Sequence, residues 1–129
     1  MTRELAAEEW LVVAEQELAR ARRFLDHDDT FAAYCLENAV ETFLRAHYAT
    51  LEIAAPDDVD LGALARRVVS PEPPASIEAC EDIARHSAAA RSGVGPGPQL
   101  EDIRASLATI EPMLADIREG IRSSDREET

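Results

Sequence analysis

Arg85 and His86 are neighbours in "ARHSAAARSG" (84–93), and Arg91 follows a turn and a half later if the segment is helical. Arginine carries a permanent charge and histidine titrates near neutrality, so this trio is a candidate site for an anion, a nucleotide or RNA. The plainer reading is two arginines on a solvated helix face. "SGVGPGP" (92–98) precedes a helix and could offer backbone N–H groups to a phosphate. It lacks both the Gly-Lys-Ser/Thr of a P-loop and the strand that should precede one, and reads as a linker. "DHDD" (26–29) holds metal-ligand residue types, but adjacent positions rarely converge on one ion, and a polar turn accounts for them. Cys35 and Cys80 stand apart without zinc-type spacing and are expected to be reduced core residues. No paired carboxylates and no serine–histidine arrangement suggest hydrolysis. The expectation is no metal and no cofactor.

A second candidate surface lies in "AAYCLENAVETFLRAHYA" (32–49). At 100° per residue, Cys35, Leu36, Ala39, Val40, Phe43, Leu44, Ala46 and Leu51 share an arc of roughly 180°. Tyr34, Glu37, Asn38, Glu41, Arg45 and Tyr48 fill most of the opposite side. Glu41 and Arg45 are i,i+4 partners in the favourable order, worth about 0.2–0.5 kcal/mol. Two tyrosines flank that pair, and tyrosine is enriched at interfaces. Tyr34, Asn38, Glu41, Arg45 and Tyr48 are therefore the interface candidates, against the alternative of an ordinary solvated face. His47 falls within the apolar arc and is expected to be a neutral core histidine.

These residues must be carried by helices. In the first, from about Glu4 to Leu25, Leu11, Ala14, Leu18, Ala21 and Leu25 recur every three or four positions. Asp29 or Thr30 can cap the second, which runs to about Leu51. A short third (59–69) opens after Pro56 and "DD" (57–58). "SPEPP" (70–74) breaks the chain before a fourth at 75–91. In the last, Ile103, Leu107, Ile110, Leu114, Ile117 and Ile121 alternate four and three apart. Pro98 suits its first turn, and Pro112 inside it should kink it at up to about 3 kcal/mol unless it faces solvent. The stripes and mostly short loops predict an all-α fold, an antiparallel up-and-down bundle of four to five helices. It is expected to span 1–122, with 123–129 as a flexible tail.

The chain of 129 residues is long enough for one domain with a real core. Its formal net charge of −13 disfavours a large nucleic-acid footprint unless arginines cluster locally. All thirteen cations are arginine. Either genomic GC bias or a high-salt cytoplasm produces that pattern; in the second case the acidic surface is a solubility device, with a Debye length of roughly 3 Å at 1 M salt. "MTRELAAEEWLVV" carries acids where a signal peptide needs a basic start, and no run approaches a membrane span. A cytoplasmic protein is expected.

The second helix also resembles a known signature. "ENAVETFLRA" (37–46) is similar to the Gln-Gln-Ala-Val-Glu-Lys-x-Leu-Lys-Ala pattern of HEPN domains. Ala39, Val40, Glu41, Leu44 and Ala46 match, and Arg45 replaces a lysine. "EEWLVVAEQELARA" (8–21) resembles the family's first helix. "VDLGAL" (59–64) keeps Asp60, Leu61 and Leu64 of a His-Asp-Leu-x-x-Leu segment, with Val59 in place of the histidine. "ARHSAAARSG" occupies the place of an Arg-Tyr-Pro stretch, keeping Arg91 but not the Tyr-Pro.

The resemblance, over about residues 8–121, implies a homodimeric helical bundle. Many members are encoded beside a minimal nucleotidyltransferase, and some pairs are toxin–antitoxin modules. Catalytic members are metal-independent ribonucleases with an Arg-x(4–6)-His motif on a late helix, the arginine holding phosphate and the histidine acting as general acid or base. No histidine follows His86, so Arg91 and Arg104 lack that partner. A formal match, Arg22 and His27 in "RRFLDH", ends the first helix beside Asp26, Asp28 and Asp29, whose charges would repel a phosphate. The reading that follows is a non-catalytic partner of a nucleotidyltransferase that binds nucleotide or RNA. The alternatives are a ribonuclease toxin with a degenerate site and a purely structural dimer.

Overall fold

The computed structural model of the chain describes residues 6–57, 59–67 and 74–127. Five helices follow one another: α1 (Ala7–Asp26), α2 (Ala32–Leu51), α3 (Leu61–Arg66), α4 (Pro74–Ser92) and α5 (Leu100–Glu127). No strand occurs among the described residues, and the fold is the all-α bundle that the apolar stripes predict.

Cross-links between the long helices fix their directions. Glu17 meets Thr42 and Phe24 meets Phe31, so α2 runs back along α1. Arg118 reaches Glu15, Arg22 reaches Glu111 and Arg104 reaches the Leu25 carbonyl. Position rises along α5 as it falls along α1, and these two are antiparallel as well. α2 touches all the other helices, whereas α1 and α4 share no contact among the described residues.

The stripes of α1 and α5 enter the core as their spacing requires. Leu11, Ala14, Leu18, Ala21 and Leu25 are buried, as are Ile103, Ile110, Leu114, Ile117 and Ile121, with Leu107 packed against them. Each large aliphatic side chain taken out of water contributes about 1.5–3 kcal/mol. Because α2 is enclosed on several sides, its buried surface is wider than the predicted arc and includes Ala32, Ala33, Thr42 and Tyr48. Leu51, assigned to that arc, is 44% exposed at the helix end, and His47 is half-buried.

Local chemistry sets the ends. The Glu9 carboxylate accepts the Ala6 N–H at 3.2 Å at the start of α1, and Asp60 Oδ1 accepts the Ala63 N–H at 2.8 Å at the start of α3. Asp29 Oδ1 accepts the N–H of Phe31, the residue that caps α2, at 2.9 Å. Gly93, at φ +66°, supplies the left-handed residue that stops α4.

Several boundaries differ from expectation. α1 begins at Ala7, with Glu4 and Leu5 outside the described residues. α3 ends at Arg66, one turn short of the predicted helix; Val68, Val69 and most of the "SPEPP" break lie outside the described residues. Pro98 is buried two residues ahead of α5 and not in its first turn. Pro112 does sit inside α5, and it is exposed, so the Ala108 carbonyl that loses its donor is left to water. α5 continues to Glu127, well into the segment expected to be a tail.

Candidate functional site

The trio Arg85, His86 and Arg91 is divided between two faces of α4. Arg85 and His86 line a cleft of about 410 Å³ between α4 and α5, together with Glu78, Asp82 and Asp102. Arg85 is ion-paired with Asp82 one turn earlier. Burial lowers the His86 pKa, and Arg85 lowers it further against the opposing pull of Asp102. With three carboxylates in its wall, the cleft is a poor receptor for a phosphate.

Arg91 points instead to α2. Its guanidinium carbon lies 5.3 Å from the centroid of the Tyr34 ring, and Nη2 is 3.8 Å from the Glu37 carboxylate. That carboxylate also accepts a 2.8 Å hydrogen bond from Ser87 Oγ. The single anion cluster expected from the sequence is therefore not assembled: each arginine already answers a carboxylate on its own side of the helix.

The Arg22–His27 pair fares similarly. Arg22 bonds Glu111 across to α5, and His27 Nδ1 contacts the Arg23 carbonyl oxygen at 2.8 Å as it caps α1. Of the neighbouring acids, Asp28 is held by Arg104 at 3.1 Å, while Asp26 is exposed.

Along α2, Tyr34, Asn38, Glu41 and Arg45 form a half-buried line, with Glu41 and Arg45 3.7 Å apart. Tyr48 does not belong to it. It is 2% exposed, and its hydroxyl donates to the Leu64 carbonyl at 2.8 Å. The correction has a simple cause: α3 folds over the side of α2 that an isolated helix would leave to solvent.

A feature not anticipated from the sequence spans the α1–α2 turn. Phe24 and Phe31 meet edge-on with centroids 5.4 Å apart, and Phe31 meets Tyr34 at 5.2 Å. Phe31 is 41% exposed. Beside this row, Arg20, Arg23, Phe24, His27 and Asp29 line a cavity of about 510 Å³. Phe24, Phe31 and Tyr34, with Arg20 and Arg23 flanking Phe24, were the available signal, but a wheel drawn for one helix cannot join residues across a turn.

Both cysteines are buried and free. Burial pushes the Cys80 thiol up to about 12, helped by Glu81, and burial also raises Cys35. Among the described residues, no group of three or more His, Cys, Asp or Glu is placed to hold a metal ion. No helix there is long and apolar enough to cross a membrane.

No curated protein and no solved structure matches the chain. The family model of the HEPN domain does match, over residues 7–120. That range runs from the first residue of α1 deep into α5 and takes in every helix described above, and the chain belongs to the HEPN domain family.

Proposed function

We propose that the chain is a non-catalytic HEPN domain that acts by association, as a homodimer paired with a minimal nucleotidyltransferase. The observation that carries this reading is that no histidine follows His86, so the late-chain arginines Arg91 and Arg104 have no partner at ribonuclease-motif spacing. Arg20 and Arg22 stand at that spacing from His27, but on the first helix and beside an acidic turn. Arg22 is spent on tying α1 to α5, and Arg20 shares its cavity wall with His27 and the Asp29 carboxylate. A general acid–base pair needs its arginine open to a phosphate and its histidine within reach of the leaving oxygen. Arg85 and His86 sit in a carboxylate-walled cleft, which is no better suited to hold RNA. Nucleotide or RNA binding would require Arg91 to leave Glu37 and cannot use Arg85, His86 and Arg91 as one cluster.

A pull-down with tagged protein from native cells at their own salt, read by mass spectrometry, tests the proposal. Recovery of a small nucleotidyltransferase is the expected result. Recovery of this chain alone overturns it. RNA cleavage by the purified protein, abolished by His27→Ala, would replace it with the ribonuclease reading.

A further inference from the structure

Most of the described arginines answer a carboxylate. Arg22, Arg45, Arg66, Arg85, Arg91, Arg104 and Arg118 are all ion-paired. Arg20 and Arg23 are exposed and have no carboxylate within ion-pair distance among the described residues. In a chain of net charge −13, two uncommitted guanidiniums one turn apart make a local positive spot on a negative body.

That spot lies beside Phe31, the aromatic side chain among the exposed large hydrophobic residues described. Arg20, Arg23 and Phe24 line the cavity of about 510 Å³, and Phe31, whose ring packs edge-on against Phe24, has 41% of its surface in water. Tyr34 extends the row, under Arg91. The Asp29 carboxylate in the cavity wall accepts the Phe31 N–H and keeps its charge, so an acidic occupant has to place its own carboxylates on the Arg20 and Arg23 side of the cavity. Aromatic anchors and arginines are the residues enriched where binding energy concentrates.

We propose that this surface docks an acidic segment of a partner protein, which sets an apolar side chain against Phe24 and Phe31 and its carboxylates on Arg20 and Arg23. The inference rests on the reading that the chain works by association, and it names where and by what chemistry. Charge selects the occupant. An isologous second copy centred on this patch would crowd four arginines around the two-fold axis, and a head-to-tail copy forms a closed assembly only where its rotation closes. A nucleic acid carries its charge far beyond so small a patch and onto the acidic body around it. A short acidic segment has the right extent and sign.

The test uses a labelled twelve-residue peptide of glutamate and aspartate with a central Leu-Phe pair, titrated into isotope-labelled protein and followed by amide chemical shifts. Controls are a lysine version of the peptide and a short oligouridylate. The expected result is shifts concentrated at residues 20–34, weakened by salt, and at least roughly tenfold weaker binding in Arg20→Glu/Arg23→Glu and in Phe31→Ala. Circular dichroism shows whether each variant keeps its helices, and Arg20→Gln/Arg23→Gln supplies a milder pair. Equal affinity for the lysine peptide, preference for the oligouridylate, or binding unchanged in the variants overturns the proposal. So does loss of a homodimer in Phe31→Ala, which would assign the row to a second copy. In the pull-down, a partner captured equally by wild type and the Arg20/Arg23 variant sinks this surface and leaves association standing. Capture of no partner by wild type sinks association, and the peptide titration then decides the surface by itself.

Discussion

Tyr48 and Leu64 are joined by a buried hydrogen bond, the phenol donating to the main-chain carbonyl at 2.8 Å, and this bond anchors the six-residue α3 to the second helix. A helix of that length has too little cooperativity to persist by itself. Its position depends on Leu61 and Leu64 in the core and on this bond. Tyr48→Phe keeps the ring and leaves the Leu64 carbonyl unpaired. The expected loss is about 1–1.5 kcal/mol, seen as a lower urea midpoint with an unchanged slope. Early amide exchange in α3 should accompany it.

Arg118 makes two hydrogen bonds to Glu15, at 3.0 and 2.8 Å, and its guanidinium carbon lies 5.6 Å from the centroid of the buried Phe43 ring. Such a fork, partly shielded from water, should exceed an exposed ion pair. A double-mutant cycle of Arg118→Ala and Glu15→Ala should return a coupling of about 1 kcal/mol. The Arg22–Glu111 pair, nearly half exposed, should return less than about 0.5 kcal/mol. Equal couplings would mean that the two-bond geometry and partial shielding of the Arg118–Glu15 pair contribute nothing beyond an exposed ion pair.

The thiols predict a pH dependence with a defined sign. Cys80 is pushed up to about 12 by burial and by Glu81, and burial raises Tyr48 against the opposing pull of Arg67. A folded-state pKa above the unfolded one means that the unfolded chain loses its proton first as pH rises. The stability from these neutral groups is intact below about pH 9 and is lost progressively from there towards pH 12. Denaturation midpoints should therefore fall above pH 9, and less steeply in Cys80→Ala once its own cavity cost is subtracted. At neutral pH a thiol reagent should modify Cys80 only as fast as the protein opens, since the thiolate is the reactive form.

The same residues mark how far the sequence could be read. The stripes of α1 and α5 were legible because each helix turns one face to the core, so a period near 3.6 reports burial directly. α2 was legible only in part. Four other helices touch it, and Tyr48 is buried by α3, a tertiary neighbour that no single-helix wheel contains. The aromatic row escaped notice for a related reason: Phe24 and Phe31 become neighbours only when the α1–α2 turn closes. The anion trio was drawn from proximity in sequence, but a residue six positions along a helix lies about 120° from its starting face. Arg91 accordingly answers Glu37 on α2, and Arg85 answers Asp82 at the α5 cleft.

Gly62 tests how closely α3 and α4 approach. A Cβ at that position would lie 2.5 Å from Glu81 Cγ, on a side chain that also holds Arg66 at 3.0 Å. Two effects oppose each other in Gly62→Ala. Alanine is favoured over glycine in a helix by about 1 kcal/mol, while the collision displaces Glu81 and breaks its ion pair or shifts α3 off α4, at about 1–3 kcal/mol. The clash involves the root of the glutamate side chain and not its flexible end, so it should win, and Gly62→Ala should lower stability by about 1 kcal/mol. In a Glu81→Ala background the obstruction is gone, and the same substitution should raise stability by a few tenths to 1 kcal/mol. That reversal of sign, read from urea midpoints of the four proteins, is what close packing at Gly62 requires. A stabilising Gly62→Ala in the wild-type background would mean that Glu81 moves aside freely and that the glycine is not needed for helix approach.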